Sequence, residues 1–400
     1  MTIRTRHGAL AMAAALLGTV AVSACGGAAG PQAGPVSKGD IGQAGSSGAA
    51  SQLKGFTLVA SGDVLPHAVI IRQAQKDAGG HGYDFHKMLA GVKPVVSTAD
   101  LAVCHMETVY GGKDGPFTGY PTFKSPPQVA QALKDTGYDS CSTASNHTLD
   151  DGADGVQHTL DAMDAVGVRH AGSARTAAEA GKPALLKAGS ATVAQLAYTY
   201  DTNGFPQPEG HPWAVNLIDP DRIIADARAA RKAGADVVLV SLHWGTEWQD
   251  DPDEMQLTVA KQLTAARTGG RPDIDLILGT HAHIPQAYEK VNGTWVVYGM
   301  GDQVAGEMFN YDDKQDPRGN MGSIARFTFA PPATAGQRWT VRKAEFIPQL
   351  MDLGAPYRVV TLNDALRQNP HRADYLRARD HIRTMVLSRG GAAAGLTMVP

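Results

Sequence analysis

The sequence predicts an α/β fold with a mixed sheet or a pair of sheets, and three observations predict it. From Phe56 onward, short apolar runs of strand length alternate with helical patterns. Several of those runs, "DVVLVSLHWG" and "IDLILGTHAH" among them, are almost continuously Val, Leu and Ile, as strands covered on both faces are. The patterns between them carry residues that start and stop helices.

The strands expected in order are "FTLVASGD" (56–63), "DLAVCHMET" (100–108), "SCSTASNH" (140–147), "ATVAQLAYTY" (191–200), "DVVLVSLHWG" (236–245), "IDLILGTHAH" (274–283) and "TWVVYGMGD" (294–302). In "SPPQVAQALKDTG", Ser125 reads as an N-cap, Pro126 opens the first turn and Gly137 ends the helix. "DPDRIIADARAARKAG" repeats the device with Asp219, Pro220 and Gly234, and "DDPDEMQLTVAKQL" with Asp251 and Pro252. Asp150 or Asp151 reads as the cap of "GADGVQHTLDAMDAVG". Strands at 322–330, 339–351 and 357–362 follow without helices between them. A helix in "NPHRADYLRARDHIRTMVLSR" precedes a Gly/Ala tail expected to fray. There is no internal repeat.

The N-terminus reads as a targeting segment. Arg4, Arg6 and His7 precede the apolar run "GALAMAAALLGTVAVSA", which is too short for a membrane span of about 20 residues. "VSAC" resembles a bacterial lipobox, which makes Cys25 the lipidation site and places the protein on the outer face of the cell membrane. Residues 26–54 are mostly Gly, Ala, Ser and Pro, a flexible tether with an end-to-end distance of about 30 Å. The expected organisation is a leader over 1–25, a linker over 26–54, one folded domain over 55–365, and a C-terminal helix and tail over 366–400.

A formal net charge of −3 without a basic stripe gives no reason to expect nucleic acid. No Gly-x-x-x-x-Gly-Lys-Ser/Thr stretch is present, which argues against an ATP-dependent ligase. Cys104 and Cys141 both fall in expected strands, and an exported protein permits either a disulfide or two buried thiols there.

The polar residues collect at the C-terminal ends of the expected strands: Asp63, Glu107, Asn146 with His147, His243, His281 with His283, and Asp302. Ligands of open α/β sheets bind outside those carboxyl ends. Taken singly, Asp63 reads equally as a turn carboxylate and His243 as a core histidine. Glu107 is harder to dismiss, because a carboxylate at a buried strand end is costly unless paired or metal-bound. In "GTHAHIPQ", residues two apart on a strand face the same way, so His281 and His283 project together. Imidazoles with Asp, Glu and Asn suit one or two divalent transition metals (zinc, manganese or iron) better than calcium. Two such ions about 3.5–4 Å apart activate water for displacement at phosphorus.

The order "GD … ME … NH … HWG … GTHAH … YGMGD" resembles the capsule-synthesis protein CapA family, a branch of the calcineurin-like metallophosphatases, over roughly Phe56 to Pro348. The resemblance implies a four-layer α/β/β/α sandwich of the metallo-dependent phosphatase type. It implies that Asp63, Glu107 and His283 hold one metal and that Glu107, Asn146, His243 and His281 hold the other, with His147 over the substrate. The chain departs from the pattern at several places. Leu65 stands where classical members have a His, Thr148 follows His147 where they have an acidic residue, and His105 and Asp302 replace Asn. His67, His105 and Asp302 are therefore further candidate ligands.

Three functions compete. The first is a lipid-anchored accessory protein for poly-γ-glutamate synthesis or export, whose partners are an anionic polymer and a membrane synthase complex. The second is a surface metallohydrolase acting on a phosphoester or an amide, unconnected with capsule. The third is a non-catalytic polymer-binding module, against which the set of intact polar residues argues.

Overall fold

The computed structural model describes residues 53–334 and 337–400. The leader, Cys25 and the linker up to residue 52 lie outside the described residues. Strands β1 (Phe56–Val64), β2 (Leu101–Met106), β3 (Ser140–Ser142), β4 (Arg169–Ala171), β5 (Ala184–Ala188), β6 (Ala191–Thr199) and β7 (Val237–His243) come first along the chain. A two-stranded hairpin, β8 (Arg267–Thr268) and β9 (Arg271–Pro272), precedes β10 (Leu276–Thr280), β11 (Tyr288–Val291), β12 (Thr294–Val297) and β13 (Asp302–Val304). The chain closes with β14 (Met321–Ala330), β15 (Thr340–Asp352), β16 (Arg358–Thr361) and β17 (Leu396–Met398).

Two large sheets result. The first runs β16-β15-β14-β1-β2-β3-β4, with β13 beside β1 and β17 beside β15; the second runs β11-β12-β10-β7-β6-β5. Within each, the central strands are parallel: β1 to β4 in one, and β6, β7, β10 and β12 in the other.

Side-chain alternation builds the layers. Leu58, Ala60, Leu101 and Val103 of the first sheet and Val193, Val237, Leu239, Leu276 and Leu278 of the second share one core between the sheets. The intervening Val59, Ala102 and Cys104 face outward onto Ile70, Val129 and Leu133 of helices Ala68–Asp77 and Gln128–Thr136. On the second sheet, Val238, Val240 and Leu242 face Ile223 and Ala227 of helix Pro220–Lys232, and Val259 and Leu263 of helix Glu254–Ala265. The architecture is therefore helix, sheet, sheet, helix. Strands buried on both faces explain the unbroken apolar runs.

Several local expectations are corrected. The run at 294–302 is not one strand: it leaves the second sheet after Val297 and enters the first at Asp302. Ser125 does not cap its helix, which starts at Gln128 after Pro127; the Ser125 hydroxyl bonds Thr108 at 2.8 Å instead. Asp253, not Asp251, caps helix Glu254–Ala265, in a reciprocal capping box with Gln256. Asp219 caps as expected. The tail expected to fray returns as β17 beside β15, and helix Ala373–Leu387 buries Tyr375, Ile382 and Val386 in the inter-sheet core. Cys104 and Cys141, in register on β2 and β3, form a disulfide.

The crossing into β13 depends on close backbone approach at Gly62. A Cβ there would lie 1.8 Å from the Gly301 carbonyl oxygen. Gly62→Ala is expected to lower the unfolding free energy by about 3 kcal/mol or more, read from urea denaturation. An unchanged midpoint would show that the crossing has slack.

Candidate metal centre

The carboxyl ends of both parallel strand sets meet at one place. Register sets Asp63 of β1 opposite His105 of β2 and Asp302 of β13, while His243 of β7 lies opposite Thr280 of β10. Asp63, Glu107 and Asp302 are fully buried, and His105, Asn146, His147, His243, His281 and His283 are all no more than 6% exposed. His243 is central. Its Nε2 lies 2.9 Å from Asn146 Oδ1 and 3.9 Å from Glu107 Oε1, and its Nδ1 lies 3.8 Å from Asp63 Oδ1. His105 Nε2 lies 3.5 Å from Asp63 Oδ1, with its ring stacked on His243 at 4.8 Å.

His281 and His283 come together for a different reason from strand alternation. β10 ends at Thr280, and both histidines sit beyond it with left-handed backbone, φ 91° and 60°. Non-glycine residues held there are strained and concentrate at functional sites. Their rings lie 6.0 Å apart, the His281 N–H donates to both Asp63 oxygens at 3.3 Å, and His283 Nδ1 lies 3.0 Å from Asp302 Oδ1.

Three buried sets of ligand atoms lie within 4.8 Å of one another: Asp63, His105 and His243; Glu107, His281 and His283; Asp63, His283 and Asp302; a fourth, more exposed set, Asp164, His170 and Glu179, lies apart from them. Both Glu107 oxygens, His105 Nε2, His281 Nδ1 and Asp302 Oδ2 are buried without a hydrogen-bond partner. Buried polar atoms are normally satisfied, so this concentration of bare ones fits a bound cation. Of the two extra histidines, His105 joins a set. His67 does not: its Nδ1 accepts from the Gly306 N–H at 3.1 Å and its ring meets Phe123 edge-on.

The electrostatics agree. Burial, with the Asp302 charge added, raises the Asp63 carboxyl to about 8; burial and Asp63 raise Glu107 well above the usual range. Burial, then the neighbouring histidines, push His243 and His281 well below theirs, and burial alone takes His105 to about 3. Those imidazoles are neutral, the form that ligates metals. Burial disfavours the His283 cation as well, but Asp302, Glu107 and Glu247 together outweigh it and hold that group well above its usual value.

Three neighbours escaped sequence reading. Asp150, expected to cap a helix, instead accepts from the Phe123 N–H at 2.6 Å and lies 2.7 Å from His147 Nδ1. It supplies, three residues on, the acidic partner that Thr148 does not. Glu247 approaches His283 Nε2 at 3.9 Å, and the half-exposed Tyr200 packs over His281 at 4.5 Å. An i,i+3 His–Asp spacing was the available signal for the first; nothing local marks the other two.

Residues 57–307 match the family of bacterial capsule synthesis proteins, PGA_cap. The chain belongs to that family. Among PGA_cap relatives, the PGA biosynthesis protein CapA of Bacillus subtilis (strain 168) is 30% identical over 179 residues, 44% of this chain and 45% of its own. The capsule biosynthesis protein CapA of Bacillus anthracis is 25% identical over 181 residues, 44% and 42% of the two chains. The chain thus spans under half the length of these curated relatives. Among solved structures, the calcineurin-like phosphoesterase YfkN of Bacillus subtilis is 15% identical, with a TM-score of 0.43, covering 82% of this chain and 99% of that one. A 5'-nucleotidase precursor from Thermus thermophilus is 14% identical, with a TM-score of 0.46, covering 74% and 54%.

Proposed function

We propose that this protein is a metal-dependent hydrolase acting in the synthesis or export of poly-γ-glutamate, anchored outside the cell membrane through Cys25. The observation that carries the hydrolase reading is the buried cluster of unpartnered ligand atoms on Glu107, His105, His281 and Asp302. The capsule context rests on family membership and the anchor on the "VSAC" stretch.

Asp63, Glu107, Asn146, His243, His281 and His283 would hold the ion or ions, with His105 and Asp302 able to complete the shell. When bound, a divalent zinc, manganese or iron ion supplies Lewis acidity and charge neutralisation for an oxyanion developing at phosphorus or at an acyl carbon. His147 supplies the proton. Asp150 fixes its Nδ1, leaving Nε2 to protonate a leaving group, and Phe123 packs edge-on at 4.8 Å to hold the ring. Asn146 Nδ2 donates to Asn203 Oδ1 at 3.3 Å, which ties the loop above the centre to it.

The deciding experiment is turnover by the metal-reconstituted full chain on γ-glutamyl amides and on activated phosphoesters. Cleavage of the γ-glutamyl bond supports the reading. Cleavage of phosphoesters alone moves the protein to a surface phosphoesterase, and no turnover of either leaves binding as its role.

Proton competition gives a further prediction. With Asp63 titrating near 8 in the metal-free chain, protons compete with the ion below that pH, so affinity falls as pH falls. Metal affinity is expected to drop about tenfold per pH unit from pH 8 to 6, measured by competitive chelator titration. A flat profile would show the carboxylates already ionised.

A further inference from the structure

A cavity of about 850 Å³ opens away from the metal centre, between β4 with the loop and short helix that follow it and β6 with helix Pro220–Lys232. None of its lining residues belongs to the buried metal centre described above, although the more exposed Asp164, His170 and Glu179, also within 4.8 Å of one another, sit on its wall. Its volume lies within the range of small-molecule and peptide sites.

Four cations on its wall, Arg169, Arg175, Lys182 and Arg222, face three acids, Asp164, Glu179 and Asp226. The acids are already engaged: Asp164 pairs with Arg175 and His170, Glu179 with Arg175, and Asp226 accepts from the Tyr198 hydroxyl at 2.9 Å. Two exposed cations on the wall, Arg169 and Lys182, have no ion pair among the described residues. On the same wall is Gln195, 1% exposed. Its Oε1 accepts from Ser140 Oγ at 2.6 Å, while its Nε2 is buried with no partner. A buried donor left unpaired costs about 1–3 kcal/mol, which a ligand carbonyl would remove. What remains unpaired on the wall is therefore the charge of Arg169 and Lys182 and the Gln195 amide donor.

We propose that this cavity is a second binding site, for an acidic polyamide chain whose backbone carbonyl meets Gln195 and whose carboxylates meet Arg169 and Lys182. The preference for an anion comes from the wall; the choice of γ-linked glutamate rests on the capsule reading above. Such a site holds a growing or processed chain while one of its bonds lies elsewhere, and it raises the local concentration of polymer at the protein.

The test uses the full chain and a fluorescently labelled γ-linked glutamate oligomer, with binding followed by anisotropy. Arg169→Glu/Lys182→Glu changes exposed positions and leaves the core alone. It is expected to weaken binding by about tenfold or more, a change of about 1.4 kcal/mol. Gln195→Leu, read alongside, is expected to weaken it severalfold. In the His281→Ala/His283→Ala background the loss caused by Arg169→Glu/Lys182→Glu is expected to persist, so this site stands or falls independently of the hydrolase reading. The proposal is overturned if the parent does not bind or if the charge reversal binds like the parent. Disappearance of the charge-reversal effect in the metal-centre variant would also overturn it, by placing the polymer there. Equal affinity for inorganic polyphosphate would reduce the cavity to a general anion patch and overturn the polyamide assignment.

Discussion

His281→Ala/His283→Ala is expected to empty the centre of metal while the fold survives. The two imidazoles belong to two of the three buried ligand sets, so each of those two loses at least one donor and the Glu107 set keeps only its carboxylate. Losing one donor already costs metal sites heavily, and losing two leaves no set of three around Glu107. The parent, purified and dialysed without chelator, is expected to carry close to one or two equivalents of zinc, manganese or iron per chain. The variant is expected to carry below about a tenth of that. The fold should persist because neither ring is part of the apolar cores that join the sheets to each other and to the helices. Both positions already hold non-glycine residues in left-handed backbone, so alanine adds no new backbone clash of its own. Elemental analysis with circular dichroism on the same samples checks both halves. Undiminished metal in a folded variant would place the ion somewhere else and remove the basis of the hydrolase reading.

The second large effect concerns proton transfer. Asp150→Asn keeps the size of the side chain and its acceptor for the Phe123 N–H, but no longer presents a carboxylate to His147 Nδ1. The imidazole then loses the partner that selects its tautomer and steadies its cation. Turnover is expected to fall about 10²- to 10³-fold, with KM and metal content close to the parent's. A role in proton donation makes a distinct signature. Substrates with poor leaving groups, which need the proton, should lose more than p-nitrophenyl esters, which do not. An equal loss across leaving groups would mean that Asp150 merely supports the loop and that His147 is not the proton donor.

Both effects depend on contacts of different legibility. Asp63, Glu107, Asn146, His243, His281 and His283 can be picked from sequence because each closes an apolar run, and polar residues repeated at that point are hard to explain as core. Their grouping cannot, because it depends on how β1, β7 and β10 from two different sheets are staggered. The His-x-His pair shows the limit. Alternation along a strand puts the two rings on one side, yet the strand ends at Thr280 and left-handed backbone brings them together. Asp150 reads as a cap because Asp before a helix usually caps it. Here the buried His147 and the Phe123 N–H compete for the carboxylate and win, and Asp151 occupies the cap position without a side-chain bond. The "TWVVYGMGD" run reads as one strand because periodicity does not register a change of sheet; close approach at Gly62 and Gly301 makes the crossing possible.

The sequence by itself determined that this is an α/β protein with strands covered on both faces and carboxylate and imidazole groups at their carboxyl ends. Those properties follow from local periodicity and from the cost of burying unpaired polar groups, both readable along the chain. Tertiary structure alone decided which candidate ligand atoms lie together, that His147 is held by Asp150, and that Gln195 lies unpartnered on the wall of a separate cavity with Arg169 and Lys182. Each depends on residues far apart in sequence being placed within a few ångströms by the packing of two sheets. No one-dimensional pattern encodes that distance.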